Sequence, residues 1–108
     1  LLATGRPVEA IPPLEAAARL QPAEAGAQFA LGNALSQAGD LQQAEEHFRR
    51  ALELRPAYPE AEFNLGLVLI RQNRPAEAQA CWEAAVRMDP NFTPAREALA
   101  LLRGAPGP

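Results

Sequence analysis

Displaced by 34 positions, the sequence falls on itself. Leu31, Gly32 and Leu35 meet Leu65, Gly66 and Leu69. Ala44 meets Ala78, Phe48 meets Trp82, Ala51 meets Ala85 and Pro56 meets Pro90. Ala27 and Phe29 recur as Ala61 and Phe63, and Tyr58 recurs as Phe92. One copy of such a unit cannot bury its own apolar face, so neighbouring copies must stack, and that narrows the possible architectures more than any other feature of the chain.

Each copy contains two helical patterns. Residues 25–38 carry apolar side chains at Ala27, Ala30, Leu31, Ala34, Leu35 and Ala38, the stripe of an amphipathic helix. Gly39-Asp40 ends that helix and caps the next, with Asp40 accepting from early backbone N–H groups and Gln43 answering it. Residues 41–54 form the second helix, with Leu41, Ala44, Phe48, Ala51 and Leu52 on one side, closed by Pro56. The next copy gives helix 59–72, a turn at Asn73-Arg74, and helix 75–88, which opens on Pro75 and closes before Pro90. The short connections make each pair antiparallel. Abundant alanine and few β-branched residues agree with an all-α chain.

A glycine interrupts both first helices, in FALGNAL (29–35) and FNLGLVL (63–69). Inside a helix it costs about 1 kcal/mol relative to alanine. The spacing places Gly32 and Gly66 where two antiparallel helices approach closely, opposite Ala44 and Ala78 and beside Phe48 and Trp82, where packing offsets the cost.

The pattern resembles the tetratricopeptide repeat (TPR) family, whose period is about 34 residues. The leucine-glycine pair and following large residue are Leu31-Gly32 and Leu35, then Leu65-Gly66 and Leu69. The small, aromatic, small and proline positions are Ala44, Phe48, Ala51 and Pro56, then Ala78, Trp82, Ala85 and Pro90. Gln28 and Glu62 stand where the family often has tryptophan. The resemblance implies an all-α solenoid, a right-handed superhelix of antiparallel helix pairs. Its units are a partial one at 1–22, mostly a second helix, complete ones at 23–58 and 59–92, a capping helix at 93–103 and a flexible tail at 104–108.

The two ends depart from the repeat. A last helix is read at 94–102, with Thr93 as N-cap and Pro94 at its first position. Ala100 and Arg103 there replace the expected glycine and leucine, as suits a polar solenoid cap. At the start, Ala10, Leu14, Ala17 and Pro22 fall in register with Ala44, Phe48, Ala51 and Pro56. Residues 7–21 therefore read as a second helix, regular only from about Pro13 because Pro12-Pro13 interrupts it. Leu1-Leu2-Ala3 is left as the last turn of a first helix. Ile11 and Leu14 would lack a cover, so the chain is either cut from a longer array or pairs through this face with another copy.

By resemblance, the first helices line a concave face that binds peptides. The residues it implies are Phe29, Asn33, Ser36 and Gln37, then Phe63, Asn64, Leu67, Ile70 and Arg71, then Glu97 and Leu101. Alternatively, Phe29 and Phe63 pack between helices and bind nothing. Leu67 and Ile70 lie off the buried stripe, and an exposed apolar strip marks a partner surface. The family's clamp for the carboxylate tail of heat-shock chaperones needs asparagines and cations. Asn33 and Asn64 occupy the asparagine places, but Phe29, Pro94 and Ala98 hold the basic ones, which argues against that ligand. An apolar or amphipathic segment lying in the groove fits better.

His47 and Cys81 are equivalent positions on successive second helices. They read as solvent-side or half-buried residues of the convex face rather than a metal or thiol–imidazole pair, with no third ligand evident. Glu45-Glu46 with Arg49-Arg50 reads as a solvated face of i,i+4 pairs. A single cysteine forbids an internal disulfide. The net charge of −3, with no lysine, argues against nucleic acid, and no apolar run approaches the ~18 residues of a membrane span. Neither cofactor nor metal is implied.

The leading expectation is a non-catalytic scaffold or adaptor for a protein or peptide partner. The alternatives are a regulatory or substrate-recruiting arm of a larger enzyme, such as a glycosyltransferase, and a self-assembling unit. The alanine-, arginine- and proline-rich, lysine-free composition suits a GC-rich bacterial genome. A chain starting at Leu1 leaves its compartment open between cytoplasm and export.

Overall fold

The computed structural model describes the backbone of residues 2–104 and the side chains of residues 8–104. Its elements are α1 (Leu2–Leu20), α2 (Ala25–Gln37), α3 (Leu41–Leu54), α4 (Pro59–Arg71), α5 (Pro75–Met88) and α6 (Thr93–Leu102). No strand occurs among the described residues. The chain divides into two compact units, Leu1–Pro56 and Ala57–Pro108. Of the tail expected at 104–108, only Gly104 lies within the described residues.

In the first unit α2 packs between α1 and α3. Leu31, Leu35, Ala44, Phe48 and Ala51 are almost wholly buried, as the stripes at 25–38 and 41–54 require. In the second unit α5 packs between α4 and α6. There Leu65, Val68 and Leu69 are at most 1% exposed. Full burial of each such side chain contributes about 1.5–3 kcal/mol.

Helix ends follow local chemistry. Gly39 at φ 90° and Asn73 at φ 63° sit in the left-handed region that glycine, and to a lesser degree asparagine, tolerates. At both ends the next amide reaches back to close the helix, Asp40 N–H to Leu35 O and Arg74 N–H to Leu69 O, each at 2.9 Å. This is a Schellman closure. Asp40 then caps α3, accepting from the Gln43 amide at 3.3 Å and from Gln43 Nε2 at 2.7 Å. Gln43 bonds the carboxylate rather than the Asp40 amide, because that amide is already committed to Leu35.

Two expectations at the ends need correction. α1 does not begin near Pro13, and residues 2 and 3 do not close a separate helix; one helix runs through Leu2–Leu20. Proline's φ is itself helical, and what Pro12 and Pro13 remove is two backbone donors. Val8, Glu9, Pro12 and Pro13 are all exposed, so water satisfies the carbonyls left without donors. At the other end Phe92, not Thr93, is the N-cap of α6, and Pro94 is its second residue. The Thr93 hydroxyl donates backward to Asn91 O at 3.4 Å and caps nothing.

Candidate functional site

The second unit builds its site on the glycine of α4. A Cβ added to Gly66 would fall on Trp82 Nε1 and lie 2.7 Å from Cδ1. At Gly32 it would lie 2.8 Å from Phe48 Cε1. The missing side chain therefore makes room for an aromatic ring, and Ala78 and Ala44 are not the nearest neighbours. The indole is held there by its N–H, which donates to Phe63 O at 3.1 Å. Phe63 packs beside it, 6.3 Å from the Trp82 ring and 5.8 Å edge-on to Phe92. Phe29 repeats the arrangement on Phe48 at 5.8 Å. Both phenylalanines are half-buried, each engaged with its own unit.

Beside this cluster α4, α5 and α6 enclose an open apolar groove of about 290 Å³, lined by Leu67, Ile70, Trp82, Ala98, Leu101 and Leu102. Leu67 and Ile70 are one turn apart on α4 and remain 41% and 37% exposed, while Leu101 is 78% exposed. The groove thus unites three of the expected contact residues. Trp82, Ala98 and Leu102 were missed. The repeat gives Trp82 a packing role and puts Ala98 where a carboxylate clamp needs a cation, yet the 98, 101, 102 spacing marks one face of a helix.

The other expected residues are dispersed over α2, α4 and α6. Asn33 and Ser36 on α2 and Asn64 on α4 are half-buried; Gln37, Arg71 and Glu97 are exposed. On α1, Ile11 and Leu14 are half-buried.

The first unit holds a second concavity of about 500 Å³, whose lining includes Glu15 and Arg19 of α1, Gln28 of α2, and His47 and Arg50 of α3. Gln28 is 4% exposed and accepts from His47 Nδ1 at 2.7 Å. Burial holds the imidazole below its ordinary pKa, and Arg50 lowers it further, against the opposing pull of Glu46 and Glu15. Of the two i,i+4 pairs expected on α3, Glu45–Arg49 forms at 3.0 Å, whereas Arg50 lines the cleft. His47 is half-buried, within the expected range, whereas its counterpart Cys81 is buried, deeper than the solvent-side or half-buried place expected. Among the described residues no three His, Cys, Asp or Glu side chains form a metal-binding group, and no helix is long and apolar enough to cross a membrane.

Two tetratricopeptide repeat models match the sequence, over residues 35–102 and 1–61. The chain belongs to the tetratricopeptide repeat family. Its helix pairs α2–α3 and α4–α5 carry the repeat's glycine-to-aromatic contact twice. A solved structure of MamA is 28% identical, with a TM-score of 0.87 over 91% of this chain and 57% of its own. YrrB, described as a TPR protein with an unusual peptide-binding site, is 26% identical, with a TM-score of 0.84 over 87% of this chain and 48% of its own. The chain therefore spans about half the length of these relatives. The type III secretion chaperone SycD of Yersinia enterocolitica, solved with a peptide of the translocator YopD, shares the fold at 17% identity, with a TM-score of 0.86 over 92% of this chain and 81% of its own. No curated protein matches the sequence significantly.

Proposed function

We propose that this tetratricopeptide repeat protein is a non-catalytic interaction module that holds an apolar or amphipathic segment of a partner protein in the groove between α4 and α6. The observation that carries this reading is the groove itself: Leu67, Ile70 and Leu101 stay exposed around a concavity walled by apolar side chains. Large side chains left exposed together, beside a fully packed core, are the mark of a docking surface. The peptide-binding description of YrrB is consistent with it.

Phe63 plays a supporting part. Its ring packs against Trp82, which lines the groove, so that wall is rigid, and little ordering entropy is lost when a ligand arrives. Asn64, bearing donor and acceptor atoms, supplies polar contacts to a ligand backbone, and Arg71 and Glu97 form the remainder of the contact surface of this unit. Affinity depends only weakly on salt, since apolar contact and not charge supplies it.

The test is selection of binders from a random dodecapeptide library, followed by titration of a selected peptide against Leu67→Ser and Ile70→Ser. Both positions are exposed enough for the fold to survive. Each change should weaken binding by about 1–2 kcal/mol. Undiminished affinity in both variants refutes the reading.

A further inference from the structure

The cleft of the first unit is chemically unlike the α4–α6 groove. Arg19 and Arg50 line it from opposite helices, and among the described residues neither makes an ion pair or side-chain hydrogen bond. Arg49, Arg74 and Arg103, by contrast, pair with Glu45, Glu77 and Glu83, and what sets Arg19 and Arg50 apart from other arginines without an ion pair is that they line one cleft. Deeper in the cleft lies a built polar contact. The amide oxygen of Gln28 can only accept, so the His47 proton resides on Nδ1 and the neutral ring keeps Nε2 as an acceptor. Gln28 is buried on α2 and fixes the ring's orientation from below.

We propose that this cleft is a docking site for a side-chain carboxylate of an acidic partner segment, gripped by Arg19 and Arg50, with His47 joining them as a donor only when its ring is protonated. Guanidinium groups suit carboxylates through paired, parallel hydrogen bonds. The charge count favours a monoanion over a phosphate. With His47 neutral, two arginines and Glu15 leave one net positive charge in the lining, and Glu46, which acts on His47 from outside the lining, lowers the local charge further, so a dianion is disfavoured more strongly than a carboxylate. A volume of about 500 Å³ admits a side chain and its flanking backbone.

The same geometry makes the site acid-strengthened. The charged groups facing His47 are Glu15 and Arg19 from α1 and Glu46 and Arg50 from α3; α2 presents only the uncharged Gln28. Protonation puts a donor on Nε2 and a second net positive charge in the lining. A bound carboxylate favours that protonated ring, so binding tightens as the pH falls through the His47 midpoint.

The experiment is an NMR titration with an acetylated, amidated glycine peptide bearing one central glutamate, run beside its glutamine and phosphoserine counterparts. The glutamate peptide should move the His47 ring and the Arg19 and Arg50 Nε–H signals, saturating in the millimolar range. The glutamine peptide should move none of them. R19Q and R50Q should each weaken binding at least about fivefold, and added salt should weaken it further. From pH 7 to pH 5 affinity should rise several-fold in the parent and stay flat in H47Q. Leu67→Ser and Ile70→Ser should leave the titration unchanged, which separates this site from the α4–α6 groove. Equal binding of the glutamine peptide, or tighter binding of the phosphoserine peptide, overturns the proposal, as does insensitivity to R19Q and R50Q in folded protein.

Discussion

Replacing Gly66 by alanine sets two opposing effects against each other. Helix propensity alone favours alanine by about 1 kcal/mol. The added Cβ, however, would fall on Trp82 Nε1 and lie 2.7 Å from Cδ1 and 2.8 Å from Cε2. The indole must retreat by about 1 Å to restore ordinary carbon contact. Overpacking of this kind costs about 1–3 kcal/mol. The retreat also stretches the 3.1 Å bond from Nε1 to Phe63 O, and losing it costs about 1 kcal/mol more. The net expectation is a loss of about 1–3 kcal/mol. Gly32→Ala meets Phe48 at 2.8 Å with no hydrogen bond from the ring at stake, so its loss should be smaller by about 1 kcal/mol. Urea unfolding followed by fluorescence suits the comparison, because Trp82 is the sole tryptophan and reports its own displacement. A Gly66→Ala protein at least as stable as the parent, with unchanged emission, would refute the reasoning.

Gly66→Leu should be far more damaging than Ala100→Leu, since residue 100 is exposed; equal shifts in urea midpoint would contradict the difference drawn between α4 and α6. Asp40→Ala should cost about 1 kcal/mol by removing the cap of α3, read as a lower thermal midpoint, whereas Thr93→Ala should cost less because Thr93 caps nothing. His47 should titrate below 6.5 by NMR. Because its folded pKa lies below the unfolded one, the unfolded chain binds the extra proton first. Stability should therefore be greatest above pH 6.5 and decline as pH falls toward the folded midpoint; H47Q should lose that part of the slope.

The fold was largely legible because the repeat writes each packing contact twice. Leu31 and Leu65, Phe48 and Trp82, Ala51 and Ala85 all occupy the buried places their spacing assigned. What misled was local. Pro12 and Pro13 read as a helix break, but exposed prolines cost donors and not helical dihedrals. The capping box at Asp40 read correctly in kind, yet the amide meant for Gln43 was taken by Leu35, a choice that depends on how the preceding turn closes. Of the candidate groove, Leu67 and Ile70 were visible as apolar residues off the buried stripe, and Leu101 as the cap-helix contact that the resemblance implies. Ala98 and Leu102 were not, because the repeat register gives position 102 the place of the buried Val68 and position 98 that of the polar Asn64, neither of which reads as an exposed apolar contact. The cleft around His47 was invisible because its lining comes from three helices, and Glu15, Gln28 and Arg50 have no motif spacing in common.

The most direct test of the proposed binding surface is methyl NMR of the protein, labelled at leucine, isoleucine and valine, with a library-selected peptide added in steps. The groove reading predicts the largest shift changes at Leu67, Ile70 and Leu101, and none at Val8, Leu20 or Leu54, which are also exposed. Changes confined to Val8, Leu20 and Leu54, with the α4 and α6 methyls unmoved, would contradict it.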